Sequence, residues 1–506
     1  MARILFLLLV ITTANSLAVE VQTPSGTLVG KSSESSEAIS VFKNIPYAIP
    51  PVGARRWTYA EPFPAWKGKR NATNFSPSCQ QHPYPEGSFF SRPSEPISED
   101  CLYLNIWSPM TPAEDKDLPV MVWVHGGALT RGSGASTAYD GTELAKKGVV
   151  LVTINYRLGV FGYMAHPELS AESEHGSSGN YGTSDQIQAL RWVQQNISAF
   201  GGNPDNVTIF GESAGSWSVN HLVASPLARG LFHRAIGQSG GNFRPLPQLM
   251  GSDNAAEARG ANLQKSLGVS SISELRMLDA HQILSADDGR SYRAIVDGHI
   301  LPDQLYHLFE QGKFNRVPLM VGYNAEEGTT LGALRYMPKD ADGLKRLLQD
   351  RYNGQAETLN QLYPGDQLRD SVLRLSADSG FGWNMHHWAS KTDQHGVDAY
   401  MYYFVHRPLG DELGAFHAAE IPYAFNNPKA LNFNTKTDQS LADVMSDFWV
   451  NFAIHGNPNG ISTGKWNKYS GSTKNYMEFG SKGSTPGTGL MQGSYEAFET
   501  HYAQER

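Results

Sequence analysis

Cysteine is almost absent from this chain: 506 residues contain only Cys79 and Cys101. Two thiols cannot build a zinc site by themselves. In an oxidising compartment an even pair reads as one disulfide, closing a loop of about 20 residues worth roughly 3 kcal/mol in the chain-entropy model. Long apolar runs are also missing. Beyond the N-terminus no stretch approaches the 18 uninterrupted apolar residues that a membrane span needs, so no membrane anchor is expected. The last residues, HYAQER, carry neither a hydrophobic tail nor a retention signal. Basic clusters are scarce as well. The formal net charge is −8 and there is no dense Lys/Arg run, which argues against nucleic acid or an anionic membrane as partner. Internal repeats and low-complexity tracts are lacking too. What remains is the composition of a folded globular protein, 40% hydrophobic and 18% charged, long enough for a large core.

The N-terminus reads MARILFLLLVITTANSLA. Arg3 supplies a basic start, Ile4 to Ile11 a short apolar core, and Ala14, Ser16 and Ala18 the small residues of a cleavage region. This is the pattern of a secretory signal peptide over 1–18, leaving 19–506 as one large domain of a secreted or periplasmic protein. Four Asn-x-Ser/Thr sequons, at Asn71, Asn74, Asn196 and Asn206, matter only in a host that glycosylates.

From about Leu118 to Gly240 the chain alternates strands and helices. PVMVWVH (119–125), VVLVTIN (149–155) and NVTIF (206–210) are continuous apolar runs, and 183–200 has helical spacing. VPLMVGY (317–323) and AYMYYFV (399–405) repeat the strand pattern later. Such runs imply an α/β protein with a mostly parallel sheet covered by helices on both faces. The more helical, irregular text of 252–316 and 331–398 reads as insertions roofing the carboxyl ends of the strands, where ligands bind in open α/β sheets.

Gly211-Glu212-Ser213-Ala214-Gly215 is a G-x-S-x-G motif. The chemistry needs a serine on a sharp strand-to-helix turn, with small residues letting the chain pass closely. Alone the pattern is weak, since chance gives roughly 0.4 matches in such a chain. Gly237-Gln238-Ser239-Gly240-Gly241 and Gly460-Ile461-Ser462-Thr463-Gly464 also match. Only Ser213 has strand, turn and helix in order, so Ser213 is the candidate nucleophile. His125-Gly126-Gly127-Ala128 ends an earlier strand and suits an oxyanion hole of backbone N–H groups. The acid should follow a late strand, and Glu326 and Glu327 both do. The histidine should follow the next one. His406 is almost at the strand end; His417, in a Gly-containing loop, better suits an imidazole that must reach across to Ser213.

These motifs resemble the type-B carboxylesterases, the group that includes cholinesterases. The likeness runs from about Val21 to Tyr476. It rests on NIPYA (44–48), EDCLYLN (99–105), the segment 125–128, FGESAG (210–215), GYNAEEG (322–328) and HAAEI (417–421). It implies an α/β-hydrolase fold and a Ser213–His417–Glu327 triad. Gly127, Ala128 and Ala214 become the oxyanion donors, and Cys79–Cys101 the family's first disulfide. Ser239 and Glu212 lie behind the reacting groups. No cofactor and no metal is implied, and the partner is a small-molecule ester. The departures are informative. Ala128 replaces a third glycine, which is similar to the bacterial para-nitrobenzyl esterases. The disulfide loop has Phe89 and Phe90 but not the choline-binding tryptophan of cholinesterases, so a choline ester is not the expected substrate. The family's second disulfide has no cysteines to form it. A lipase, a hydrolase of one specialised ester, and a catalytically silent binding protein are the rival readings of the same scaffold.

Overall fold

The computed structural model describes residues 18–84, 86, 88, 90, 96–110, 117–252, 255–461 and 463–506. The leader up to Leu17, Phe89 and Ser462 lie outside them. Its centre is a 13-stranded sheet. In chain order the principal strands are β1 (Ala18–Thr23), β2 (Gly26–Ser33), β3 (Ser36–Pro46), β4 (Tyr103–Pro109), β5 (Leu118–Val124) and β6 (Val150–Ile154). There follow β7 (Gly202–Glu212), β8 (Arg234–Gln238), β9 (Leu319–Asn324), β10 (Ala399–Phe404), β11 (Tyr476–Gly480) and β12 (Gly483–Gly487). Across the sheet the order is β1-β2-β3-β4-β6-β5-β7-β8-β9-β10-β11-β12, with Lys69–Asn71 pairing β2.

From β6 to β11 every neighbour is parallel. Both faces of this block are buried, which is why its strands read as unbroken apolar runs. On β5, Val120, Val122 and Val124 enter one core, while Met121 and Trp123 enter the other. The first core is filled by the helices Tyr181–Asn196 and Ala214–Ala224, the second by Lys436–His455. At the flanks the pairing turns antiparallel, through β1 to β4 at one side and β12 at the other. Those strands were not expected from the sequence. β1 alternates between exposed and half-buried residues, so it shows no continuous apolar run.

The segment 252–316 holds four short helices, and 331–398 holds Ala341–Tyr352, Ala356–Leu362 and Leu368–Ala377 among others. The last part of the second segment is not roof. Helix Trp383–Gln394 packs on the sheet, where Trp388 lies so close to Gly237 that a Cβ there would come within 2.7 Å of its ring. A π-helical turn, Asp378–Gly382, joins it to the roof. The Asp378 carboxylate holds that turn by accepting from the hydroxyls of Tyr323 (2.9 Å) and Tyr363 (2.7 Å). Of the sequons, Asn71 and Asn74 are exposed. Asn196 is fully buried, its amide oxygen accepting from Ser25, and Asn206 accepts from Arg234. No helix among the described residues is long and apolar enough to cross a membrane.

Candidate active site

The carboxyl ends of five adjacent parallel strands, β5, β7, β8, β9 and β10, carry the chemistry. Ser213 follows β7 directly and is the N-cap of helix Ala214–Ala224, with φ 57° and ψ −122°. A non-glycine residue there stores strain of about 1–3 kcal/mol. Close packing enforces it. A Cβ on Gly215 would sit 2.0 Å from the Val124 carbonyl, and one on Gly211 would sit 2.6 Å from Gly215. Ser213 N–H donates to the Gln238 carbonyl (2.8 Å). Ser213 is half-exposed, whereas Glu212 and Ala214 on either side are buried.

His125-Gly126-Gly127-Ala128 runs beside this turn. A Cβ on Gly126 would fall 3.1 Å from that of Ser213. The Gly127 carbonyl accepts from the N–H groups of Thr130 and Arg131, both at 3.0 Å, which folds the segment back on itself. Gly127 and Ala128 take φ of 107° and 58°. For Ala128 that is the left-handed region, at a cost a glycine would not bear. The N–H groups of Gly127, Ala128 and Ala214 make no hydrogen bond to any described residue. His125 braces the segment: its ring stacks on Tyr156 (centroids 4.5 Å apart), and Tyr156 donates to the His125 carbonyl at 2.7 Å. Burial pushes the His125 imidazole down to about 4, so it stays neutral.

The loops after β9 and β10 meet beside Glu212, the residue that precedes Ser213. Glu327 Oε2 lies 2.5 Å from His417 Nδ1, and its other oxygen accepts from Asn324 N–H at 2.9 Å. Glu327 is fully buried. Glu326 points the other way, to Arg407 and the Ala415 N–H (2.6 Å). His406 is occupied elsewhere, 2.8 Å from Asp438. The other ring nitrogen of His417, Nε2, lies 3.2 Å from Glu212 Oε1. Burial opposes charge on this imidazole, but the carboxylates of Glu212 and Glu327 outweigh it and raise His417 to about 9. Burial likewise drives the Glu212 carboxyl well above the ordinary range. The rings of Phe381, from the π-helical turn, and Phe90 stand 5.1 and 6.3 Å from the imidazole.

Sequence reasoning gave no role to Glu420, the last polar residue of the HAAEI string. It is fully buried and accepts from Asn324 Nδ2 (2.6 Å) and Gln238 Nε2 (3.1 Å), so three carboxylates share one buried shell around His417. Only its spacing of three from His417 hinted at this. Ser239 ends β8 just behind Ser213, fully buried against Tyr402. Cys79 and Cys101 form a disulfide, with Cα atoms 5.0 Å apart, at the base of the loop that carries Phe90. Among the described residues no group of three or more His, Cys, Asp or Glu is arranged to hold a metal ion.

Residues 17–498 match the sequence profile of the Carboxylesterase family. A fumonisin B1 esterase from Sphingopyxis macrogoltabida is 37% identical over 477 residues, covering 89% of this chain and 85% of its own. The para-nitrobenzyl esterase of Bacillus subtilis is 35% identical over 450 residues, covering 82% and 86%. Among solved structures, a carboxylesterase of Geobacillus stearothermophilus superposes with a TM-score of 0.81 at 35% identity, covering 95% of this chain and 99% of its own. Sheet order, strand-end chemistry and these likenesses agree: the chain belongs to the carboxylesterase family, has the α/β-hydrolase fold, and is a carboxylic ester hydrolase.

Proposed function

We propose that the hydrolysis runs through Ser213, His417 and Glu327 by way of an acyl-enzyme. The observation that carries this reading is the 2.5 Å contact between Glu327 and His417 Nδ1, above a serine held in a strained strand-to-helix turn. Ser213 Oγ attacks the ester carbonyl while His417 Nε2 takes its proton. The oxygen that gains charge sits among the N–H groups of Gly127, Ala128 and Ala214, each donor worth roughly 3 kcal/mol. The C–O bond to the alcohol breaks, and His417 returns the proton to the departing oxygen. Water then attacks the acyl-enzyme, giving its proton to His417. The acid leaves and Ser213 regains its hydrogen. Each turnover thus converts one ester and one water to one acid and one alcohol. Glu327 fixes the tautomer and, with Glu212, stabilises the imidazolium formed at each step.

The chain is exported. The N-terminal leader pattern and the Cys79–Cys101 disulfide support this, since disulfides persist in oxidising compartments. The relatives' names cover a fumonisin B1 esterase and a para-nitrobenzyl esterase, so membership of the family leaves the ester open. The test is turnover of para-nitrophenyl esters from acetate to palmitate by the protein and its Ser213→Ala variant. Hydrolysis by the first and not the second is expected. A fully active variant would sink the assignment of the nucleophile.

A further inference from the structure

Three arginines gather where the roof meets the site. Arg131 continues the oxyanion segment, three residues past Ala128, and its backbone is hydrogen-bonded to Gly127. Its guanidinium donates from Nε to the Pro83 carbonyl (3.1 Å) and lies over Tyr84, with a Cζ-to-centroid distance of 5.8 Å. A Cβ on Gly289 would lie 4.0 Å from its Nη2, so the roof loop 287–293 rests against it. That loop brings Arg290 and Arg293, both exposed. Arg293 Nε donates to the Arg290 carbonyl (3.2 Å), and its guanidinium lies 5.8 Å from the centre of the Trp217 ring. Trp217 is one helical turn beyond Ser213, on the same helix face, and its N–H donates to the Ser213 carbonyl (3.0 Å). The contacts therefore form an arc from the 125–128 segment, through the arginines, to the residue one helical turn beyond Ser213.

None of the three pairs with a carboxylate among the described residues. The acids nearby are otherwise engaged. Asp288 accepts from the N–H groups of Arg290 and Ser291 (both 2.8 Å) and from the Ser291 hydroxyl (2.7 Å). Asp287 is buried, accepts from Gly289 N–H (2.9 Å) and faces His82. Burial and the like charge of Arg290 lower the Arg293 pKa, as expected for a solvent-reachable cation walled in by protein. Asp288 acts on both Arg290 and Arg293, so one carboxylate offsets part of a cluster of three guanidinium groups, and on a chain of net charge −8 such a basic cluster is a local feature and not a property of the surface. Arginine's planar fork is suited to carboxylate groups.

We propose that the esters this enzyme takes carry one or more free carboxylates, which Arg290 and Arg293, with Arg131, hold while Ser213 attacks a neutral ester carbonyl several bonds away. This rests on the Ser213 reading and narrows its substrate class.

Two matched pairs test it. In one, the free carboxylate is on the acyl side: mono-para-nitrophenyl glutarate against its methyl ester. In the other it is on the alcohol side: 4-acetoxybenzoate against methyl 4-acetoxybenzoate. The anionic member of at least one pair should show a kcat/KM at least about tenfold higher, mainly through KM, because a charge-assisted contact adds binding that the neutral ester lacks. In Arg290→Gln/Arg293→Gln protein the ratio should collapse towards one. Raising the ionic strength should lower the ratio in the unaltered protein, which needs no variant to fold. Calorimetry of the same esters on Ser213→Ala protein gives a readout without catalysis. Turnover of para-nitrophenyl acetate with no preference in either pair overturns the anion site and leaves the hydrolase standing. Selective binding of an anionic ester, in a protein that hydrolyses none, keeps the anion site and overturns the Ser213 reading.

Discussion

Two neighbouring strands of this sheet end in the same five-residue pattern, and only one of the two ends leads into a helix. β7 and β8 are in register, Gly211 opposite Gly237 and Glu212 opposite Gln238, so Ser213 and Ser239 occupy equivalent places. Both have positive φ, 57° and 52°, and each donates its N–H to the next strand, Ser213 to Gln238 and Ser239 to Gly322. The two ends part on the C-terminal side of each serine. After Ser213 a helix begins, whose first N–H groups are free by construction. After Ser239 the chain turns away, and the N–H groups of Asn242 and Phe243 are taken by the side chains of Asn220 and Asn384. Ser213 is reachable and Ser239 is fully buried. A strained turn alone therefore does not leave a serine reachable; the helix that follows Ser213 makes the distinction.

The comparison breaks first at the serines themselves. Ser213→Ala should lower kcat/KM by about 10⁴-fold or more, by analogy with other hydrolase nucleophiles. Ser239→Ala should cost about 1 kcal/mol of stability, the scale of one buried hydroxyl, read in urea unfolding. Loss of turnover in the second variant with retention in the first would reverse the roles. Next come the two adjacent glutamates. Glu327→Gln should lose about 10³–10⁴-fold in kcat through the wrong imidazole tautomer. Glu326→Gln, which severs only a contact to Arg407 and the Ala415 N–H, should stay within a few-fold. The glycines sharpen the packing side. A methyl at Gly215 meets the Val124 carbonyl at 2.0 Å, whereas one at Gly241 meets the side chains of Asn384 and Met385 at 3.1 Å. Gly215→Ala should therefore cost about 3 kcal/mol or more and Gly241→Ala about 1 kcal/mol, compared by unfolding midpoints.

The smallest effect tests Glu212 against its counterpart Gln238. His417 must be neutral to accept a proton, so kcat/KM falls as pH drops through its pKa. With that pKa raised to about 9, the acidic limb lies above the range of an ordinary histidine. Glu212→Gln removes one of the three raising carboxylates, and the limb should move to lower pH. A limb that does not move would show that Glu212 carries no charge in the working enzyme.

The parallel block, the strand-to-helix turn at Ser213 and the glycine-rich strand end at 125–128 were legible because each is local: an apolar run, then a fixed string of residues at its end. The antiparallel flanks were not, because alternating strands such as β1 lack such a run. Helix Trp383–Gln394 was read as roof because a buried helix and a lid helix share one periodicity. Spacing alone left Glu326 and Glu327 equal, because adjacent identical residues cannot encode burial, and only the resemblance pointed to Glu327. Glu420 was hidden for another reason: its partners Asn324 and Gln238 come from other strands, and no spacing in the sequence brings them together.

The strand-end layout also has a consequence for the life of the chain. The proposed triad is drawn from loops far apart in the sequence, Ser213 after β7, Glu327 after β9 and His417 after β10. A polypeptide still leaving the ribosome, or one truncated before β10, holds the serine without its base. On that reading, hydrolysis begins only once the sheet has closed as far as β10.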